Sequence, residues 1–507
     1  MKTCVTRRRF WSTEADNATV DVDLSPGFGT PKAAIVFFVE SNAAPGSFDT
    51  SSAYRNMGIG FIGPELVSVG SEAIHITLRD NQTTADTRKS QVSRAISAGS
   101  SDGTITHYRV DNGTFDVDKI SFSFANSTPQ ANVHLEALVW AITGDDVQVG
   151  IGATSFNGTS GGSRAYSQLS FQPDLVICSS INLAVGSAGA APAQFSFGAA
   201  TRIPLNQAST AIYHPETNPT AQATRFSTNA IATVVTGNTT SSTQSIGSIT
   251  SNGWTMTASG AWNANAQYIF MAIKGQSPFD FSLLEILTPT ATGTSFYTTG
   301  TGVSAFVPET LLGSSIGCTG DDAVQQTSPD ADAIGMFTFQ QQPNKKLYNG
   351  NGTITYSTGS ATVTGTGSSF YKYAPDFTLF TPSGTRIGSV STVSSNTSLT
   401  LTSNAAVSGT NVEYCYSGPT GGHMLLGDND NASPTETYSK FSNDFLNITL
   451  STTPSDLLTA TFAGYDTRPG FAITYNPVSA TERRFWCLAF KDKTNANEAQ
   501  RRVERVL

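Results

Sequence analysis

The sequence predicts an all-β chain: three tandem, jelly-roll-like β-sandwiches, with a small β-barrel-like module inserted into the third. Three observations predict it. Strand-type alternation closed by turn residues runs along nearly the whole chain. A proline-led apolar run, answered far downstream by a closing apolar strand, occurs three times. A block of evenly spaced Thr- and Ser-rich segments interrupts the third repeat.

Alternation is clear at Thr19-Val20-Asp21-Val22-Asp23-Leu24, at Thr353-Ile354-Thr355-Tyr356 and at Phe445-Leu446-Asn447-Ile448-Thr449-Leu450. Strand–helix–strand alternation is missing, which argues against a parallel α/β sheet. The repeated openings are Pro31 before Ala33-Ala34-Ile35-Val36-Phe37, Pro173 before Leu175-Val176-Ile177-Cys178, and Pro308 before Leu311-Leu312. The closing strands contain Leu138-Val139-Trp140, Ile269-Phe270-Met271 and Phe485-Trp486-Cys487-Leu488. Pro31 to Leu138 and Pro173 to Met271 are separated by 107 and 98 residues; Pro308 to Leu488 spans 180, which falls to 108 once the block 347–418 is set aside. The expected organisation is therefore sandwich 1 over 1–145, sandwich 2 over 146–277, and sandwich 3 over 278–491 interrupted by the module 347–418. A helical tail over 492–507 ends it.

Composition narrows the partners. Only 13% of the 507 residues are charged, against roughly a quarter in ordinary soluble domains. The 30 Phe and 15 Tyr supply real cores, so wholesale disorder is excluded. A net charge of −9 offers no global cationic surface for nucleic acid. No apolar run approaches the ~18–20 residues that span a bilayer as a helix. Five dispersed cysteines, Cys4, Cys178, Cys318, Cys415 and Cys487, make neither a disulfide framework nor a zinc knuckle. Cys178 and Cys487 lie in apolar runs and read as core thiols. The start of the chain is basic without a following apolar stretch, unlike a secretory signal, so synthesis in a cytoplasm is expected.

Charge gathers at the two ends. Lys2, Arg7, Arg8 and Arg9 stand at the front; Arg483, Arg484, Lys491, Lys493, Arg501, Arg502 and Arg505 stand at the back. Within 495–507, Val503 and Leu507 have helical spacing among Glu498, Arg502 and Glu504. The segment reads either as a solvated tail or as an arm docking on an acidic face of a neighbouring subunit. Arg7, Arg8, Arg9, Arg501, Arg502 and Arg505 are the expected subunit-docking residues.

The inserted block carries a resemblance. "GTITYSTGSATVTGTGSSF" followed by "GTRIGSVSTVSSNTSLTLTSNAAVSGTNVEYCYSG" resembles a small β-module recurrent in tailed-bacteriophage virion proteins. There a Thr/Val-rich strand leads to G-T-G-x-x-F, then to a Leu-Thr-Leu strand and a Tyr-rich strand. The larger repeats are similar in style to sandwich domains of phage tail-fibre and capsid-decoration proteins. The resemblance implies a virion structural protein and transfers no catalytic residues. It implies localisation in the virion, homo-oligomerisation, and partners among other virion proteins and copies of the chain itself. A host-surface glycan is a further candidate partner.

Catalytic signatures are sparse. His75, His107, His134, His214 and His423 form no metal spacing, and His134 reads as an outward strand position. Gly365-Thr366-Gly367 reads as a turn or bulge, with no phosphate-binding loop and no nucleophile elbow in the chain. Asp428-Asn429-Asp430-Asn431 has alternating oxygen ligands but lacks the glycine and distal Glu of a calcium loop; a solvated hairpin is the alternative. Asp321, Asp322, Asp330 and Asp332 could pair as carboxylates for glycoside hydrolysis, but solubility alone accounts for them. Loop aromatics Tyr213, Phe296, Tyr297 and Tyr371 could stack on sugars or plug sandwich ends. The expectation is a non-enzymatic structural protein without catalytic, cofactor or metal residues, tail- or fibre-associated and contributing to attachment. The alternatives are capsid decoration and, behind it, a polysaccharide-degrading enzyme.

Overall fold

The computed structural model describes residues 1–491 apart from 12–18, 44, 51–53, 64–70, 80–86, 93, 100–105, 125–133, 157, 184–187, 191, 215–222, 237–239, 261, 263–265, 301–304, 320–323, 327–332, 341–346, 371–372, 374–376, 418–420, 429–436, 451–454, 465–468 and 479–480. The tail 492–507, with its expected helix, lies outside the described residues. The chain is all-β, and the described residues contain no α-helix. Three seven-stranded sheets each face a four-stranded sheet, and one eight-stranded sheet stands apart.

In the first lobe the strands Lys2–Trp11, His134–Thr143, Ala33–Ser41, Tyr54–Ile62, Ser71–Arg79 and Thr87–Val92 lie side by side in that order. Thr19–Asp23, Lys119–Phe124, Thr106–Asp116 and Ile96–Gly99 form the facing sheet. A second lobe from Gln148–Ser155 to Gln267–Lys274, and a third from Phe281–Leu287 to Arg484–Lys491, repeat this order strand for strand. The register carries the sequence repeat. Val36 opposes Val139, Cys178 opposes Phe270, and Gly313 opposes Cys487. In each pair the first residue stands five positions after Pro31, Pro173 or Pro308.

The central strands of the seven-stranded sheets are dry on both faces. Every residue of Ala33–Ser41 and of His134–Thr143 is buried. An antiparallel sheet with one wet face would expose alternate residues instead. Ala34, Val36 and Phe38 pack with Val22, Ile120 and Phe122 inside the first sandwich. Their neighbours Ile35, Phe37 and Val39 point the other way, into a core shared with Ile177 and Phe197 of the second lobe and Leu312, Met336 and Trp486 of the third. Phe197 sits at the meeting point, its ring 5.5 Å from Phe37 and 4.9 Å from Trp486. Trp140 lies 4.6 Å from Phe490, and its Nε1 donates to Thr310 Oγ1 at 3.1 Å.

Each seven-stranded sheet borrows its last strand. Phe48–Asp49 of the first lobe pairs with Thr437–Ser442 of the third. Val324–Gln326 of the third pairs with Ala223–Ser227 of the second. Ala188–Ala190 of the second pairs with Thr87–Val92 of the first, closing the ring. The exchange covers edges that would otherwise template aggregation. At the best-defined joint, fully buried Arg55 donates through Nε to Asp49 O at 3.0 Å and also bonds Thr437 Oγ1. Lys440 Nζ lies 4.5 Å over the Phe48 ring and 2.6 Å from Asp456 Oδ1.

The three arms leave from one pole of this ring. At the opposite pole lie the links between lobes, the end of the last strand at Lys491, and the hairpin between Ala333–Gln340 and Gly421–Asp428, where Phe339 opposes Gly421. The eight-stranded module interrupts that hairpin. It has a core of its own, including Ile354, Phe370, Leu379 and Tyr414. Tyr348 opposes Tyr416, so the module starts and finishes on adjacent strands. It touches the first lobe through Tyr416 Oη, which donates to Asp23 Oδ2 at 2.6 Å.

Two outcomes follow from this packing. Phe197→Ala should cost about 3–5 kcal/mol and lower the stability of all three lobes in one transition, read by chemical denaturation with lobe-specific probes. Replacing 347–418 by a short linker should leave the ring folded, with its main thermal transition within a few degrees of the parent.

Candidate functional site

The arginines of the amino-terminal strand are spent inside the chain. Arg7, Arg8 and Arg9 are 4–5% exposed. Arg7 Nε donates to Glu136 Oε2 at 3.0 Å and Arg9 Nε to Glu136 Oε1 at 2.6 Å. The Arg7 guanidinium also lies 3.8 Å over the Phe441 ring and reaches Asn443 Oδ1 at 3.4 Å, tying the first lobe to the third. Arg8 points to the other face of the strand, 5.4 Å from the Phe10 ring. Burial alone would raise the Glu136 carboxyl, but Arg7 and Arg9 hold it well below the usual carboxylate range. Arg501, Arg502 and Arg505 lie outside the described residues.

His134 corrects the expectation of an outward side chain. It is buried, 3.4 Å from Glu136 Oε1, because both faces of its strand are covered, and burial lowers its pKa. His423 is buried against Ser315 Oγ at 2.8 Å and stacks on Phe337. Burial pushes His214 and His423 down to about 3. All five cysteines are buried, and none is in a disulfide. Tyr297 shares a 2.8 Å hydrogen bond with Tyr475, and Tyr213 packs against Ala211, Ala223 and Val235. Asp428 ends a strand opposite Thr437. Asp430, Asp321, Asp322, Asp330, Asp332 and Tyr371 lie outside the described residues, as does the side chain of His107. Among the described residues no group of three or more His, Cys, Asp or Glu is placed to hold a metal.

The joints between lobes break the threefold pattern in an informative way. The residue after each repeated proline reaches toward the start of the next lobe. Lys32 Nζ donates to Val147 O at 2.8 Å, Asp174 Oδ2 accepts from Gly275 N at 3.0 Å, and Glu309 Oε2 accepts from Thr3 N at 3.0 Å. By register, Gly63, Thr201 and Gln340 occupy one further shared position. At the third-to-first joint, Gln340 accepts from Val5 N at 2.9 Å and donates to Thr3 O at 3.2 Å, closing the gap. At the first-to-second joint Ile151 packs so closely on Gly63 that a Cβ there would lie 2.8 Å from its methyl.

At the second-to-third joint Thr201 reaches no such partner among the described residues, and a cleft of about 260 Å³ opens between Thr201 and Pro204 on one wall and Phe281 and Leu283 on the other. Two large apolar side chains in its lining are exposed: Ile203 at 40% and Phe279 at 37%. Both walls are pinned. Asp174 Oδ1 accepts from Arg202 Nη2 at 2.6 Å while Oδ2 holds Gly275 N. Asp280 Oδ2 accepts from Ser277 N at 3.0 Å, and Ser277 Oγ from Phe279 N at 3.2 Å, a capped single turn that holds Phe279 outward. This cleft went unread in the sequence. Its signal was two apolar residues flanking Pro204, and Phe279 after Pro278, in turns that otherwise favour polar residues.

No family model and no curated protein matches the chain. Among the described residues, fold and site define a single-chain ring of three like β-sandwiches, with an open joint between the second and third lobes and an inserted module.

Acid should loosen this structure in a defined window. A histidine with its folded-state pKa at about 3 and its ordinary value at 6.5 is neutral in the fold and charged in the unfolded chain between those values. Its contribution is complete above pH 6.5 and is lost as pH falls toward 3. Denaturation at stepped pH should show stability falling by about 1.4 kcal/mol per pH unit for each such histidine. Glu136→Gln, which strips the buried arginines of their counter-charge, should cost about 3–5 kcal/mol at neutral pH by the same measurement.

Proposed function

We propose that the protein is a non-enzymatic structural component of a bacteriophage virion, exposed on the particle, associated with the tail or fibres and contributing to attachment at the host surface. The observation that carries this reading is the mounting of the inserted module. The segment resembling a phage virion module has its own core, interrupts a hairpin tip, and stands at one pole of a rigid ring. Hairpin tips tolerate insertion of domains that carry separate functions, and such placement suits display. Its strands turn Thr and Ser outward, as at Thr355, Thr362 and Thr364, a surface rich in hydroxyls for polar contacts with glycans.

Capsid decoration is favoured by a different observation, the closed pseudo-threefold ring, since a body of that symmetry fits where three shell subunits meet. Imaging of particles labelled on this chain separates the two: label on tail or fibres is expected, and label spread over the shell would favour decoration. Purified protein should also bind host cells and reduce infection by the parent phage. Failure to do either, with particles that lose robustness when the protein is absent, would replace attachment by decoration.

A further inference from the structure

The open cleft lies beside the place where the last strand ends. Thr143, Lys274 and Lys491 occupy one position at the ends of the three closing strands. After Thr143 and Lys274 the chain crosses its joint into the next lobe, through 144–147 and 275–280. Lys491 ends the third closing strand at the same pole, and residues 492–507 follow it in the sequence. Phe490 opposes Phe281, and Phe281 forms part of the cleft.

The composition of that segment matches the cleft. At helical spacing Ala496, Ala499, Val503 and Leu507 fall on one face, with Val506 at its margin. Arg501, Arg502 and Arg505 fall on the other. The cleft offers Ile203, Pro204 and Phe279 together with neutral Thr201 and Asn206. Sixteen residues reach about 24 Å as a helix, and the cleft begins one strand away. We infer that the cleft between the second and third lobes is the seat of the chain's own segment 492–507, with Val503 and Leu507 against Phe279 and Ile203. Tethering favours this occupant, because a short connection gives an effective concentration near the millimolar range. Docked this way the segment seals the one joint that Gln340 and Gly63 seal elsewhere, and leaves its arginines facing outward. The inference does not depend on where the protein acts.

Two cysteine pairs in the full chain, Ile203→Cys with Leu507→Cys and Phe279→Cys with Val503→Cys, provide the test, since the five native thiols are buried. Mild oxidation should join at least one pair within a single chain, seen as a disulfide mapped by mass spectrometry at monomer mass. Pairs that join only between copies, or neither pair joining, would overturn it. Hydrogen exchange gives an independent reading. Val503→Asp with Leu507→Asp should speed exchange over 199–207 and 277–287 by about tenfold or more, as loss of a tethered occupant requires. Unchanged exchange would count against the seat.

Discussion

The structure depends on three β-sheets whose central strands cannot tolerate water on either face. A seven-stranded sheet built from runs such as Ala33–Ser41 needs one cover for Val36 and Phe38 and another for Ile35, Phe37 and Val39. The four-stranded sheet supplies the first. Only other sheets of the same kind supply the second, and three of them meeting around Phe197, Trp140 and Trp486 satisfy one another at once. Each such buried side chain is worth about 1.5–3 kcal/mol relative to exposure. A lobe on its own would forfeit that term along one whole face. The lobes are thus separate in topology and joint in energetics.

Closing the ring creates a second demand, at the sheet edges. Main-chain groups along an outer strand need partners, and the borrowed strands provide them at one edge. At the opposite edge, side chains do the work: Glu309 and Gln340 bond the backbone of Thr3 and Val5. The buried charges belong to the same economy. Arg7, Arg9 and Glu136 lie where the first lobe meets the third, and Arg55 and Lys440 where an arm is exchanged. Removing one partner of such a set is far costlier than the set is stabilising, so these groups make the joints specific more than strong.

Much of the architecture was legible because it is written in local pattern. The proline-led runs, the closing strands and the Thr-rich insertion each announce themselves within a dozen residues, and the structure places Pro31, Pro173 and Pro308 at one position of the repeat. The shared core was less legible, although its trace was present: His134–Thr143 has too few polar positions for a half-wet strand. The same oversight misplaced His134. The arms are two or three residues long, below any periodicity, and only non-local pairing reveals them. The cleft depends on what Thr201 fails to do where Gln340 and Gly63 succeed, a contrast visible only after the three lobes are superposed in register.

Carrying three like lobes on one chain has a consequence that three identical subunits could not reach. Identical subunits would repeat every feature three times, whereas here each joint is free to differ. One hairpin tip bears a 72-residue module while its counterpart, from Thr201 to Gln207, is a short turn. One joint is bridged by Gln340, one is packed shut at Gly63, and one is left open. The module and the open joint both belong to the pole away from the exchanged arms. Symmetry therefore supplies the rigid frame, through a core that tolerates little change, and the departures from symmetry collect at the pole where links and tips are least constrained by it. A surface that must recognise something asymmetric is most easily built there, since substitutions at a tip or link leave the shared core around Phe197 untouched.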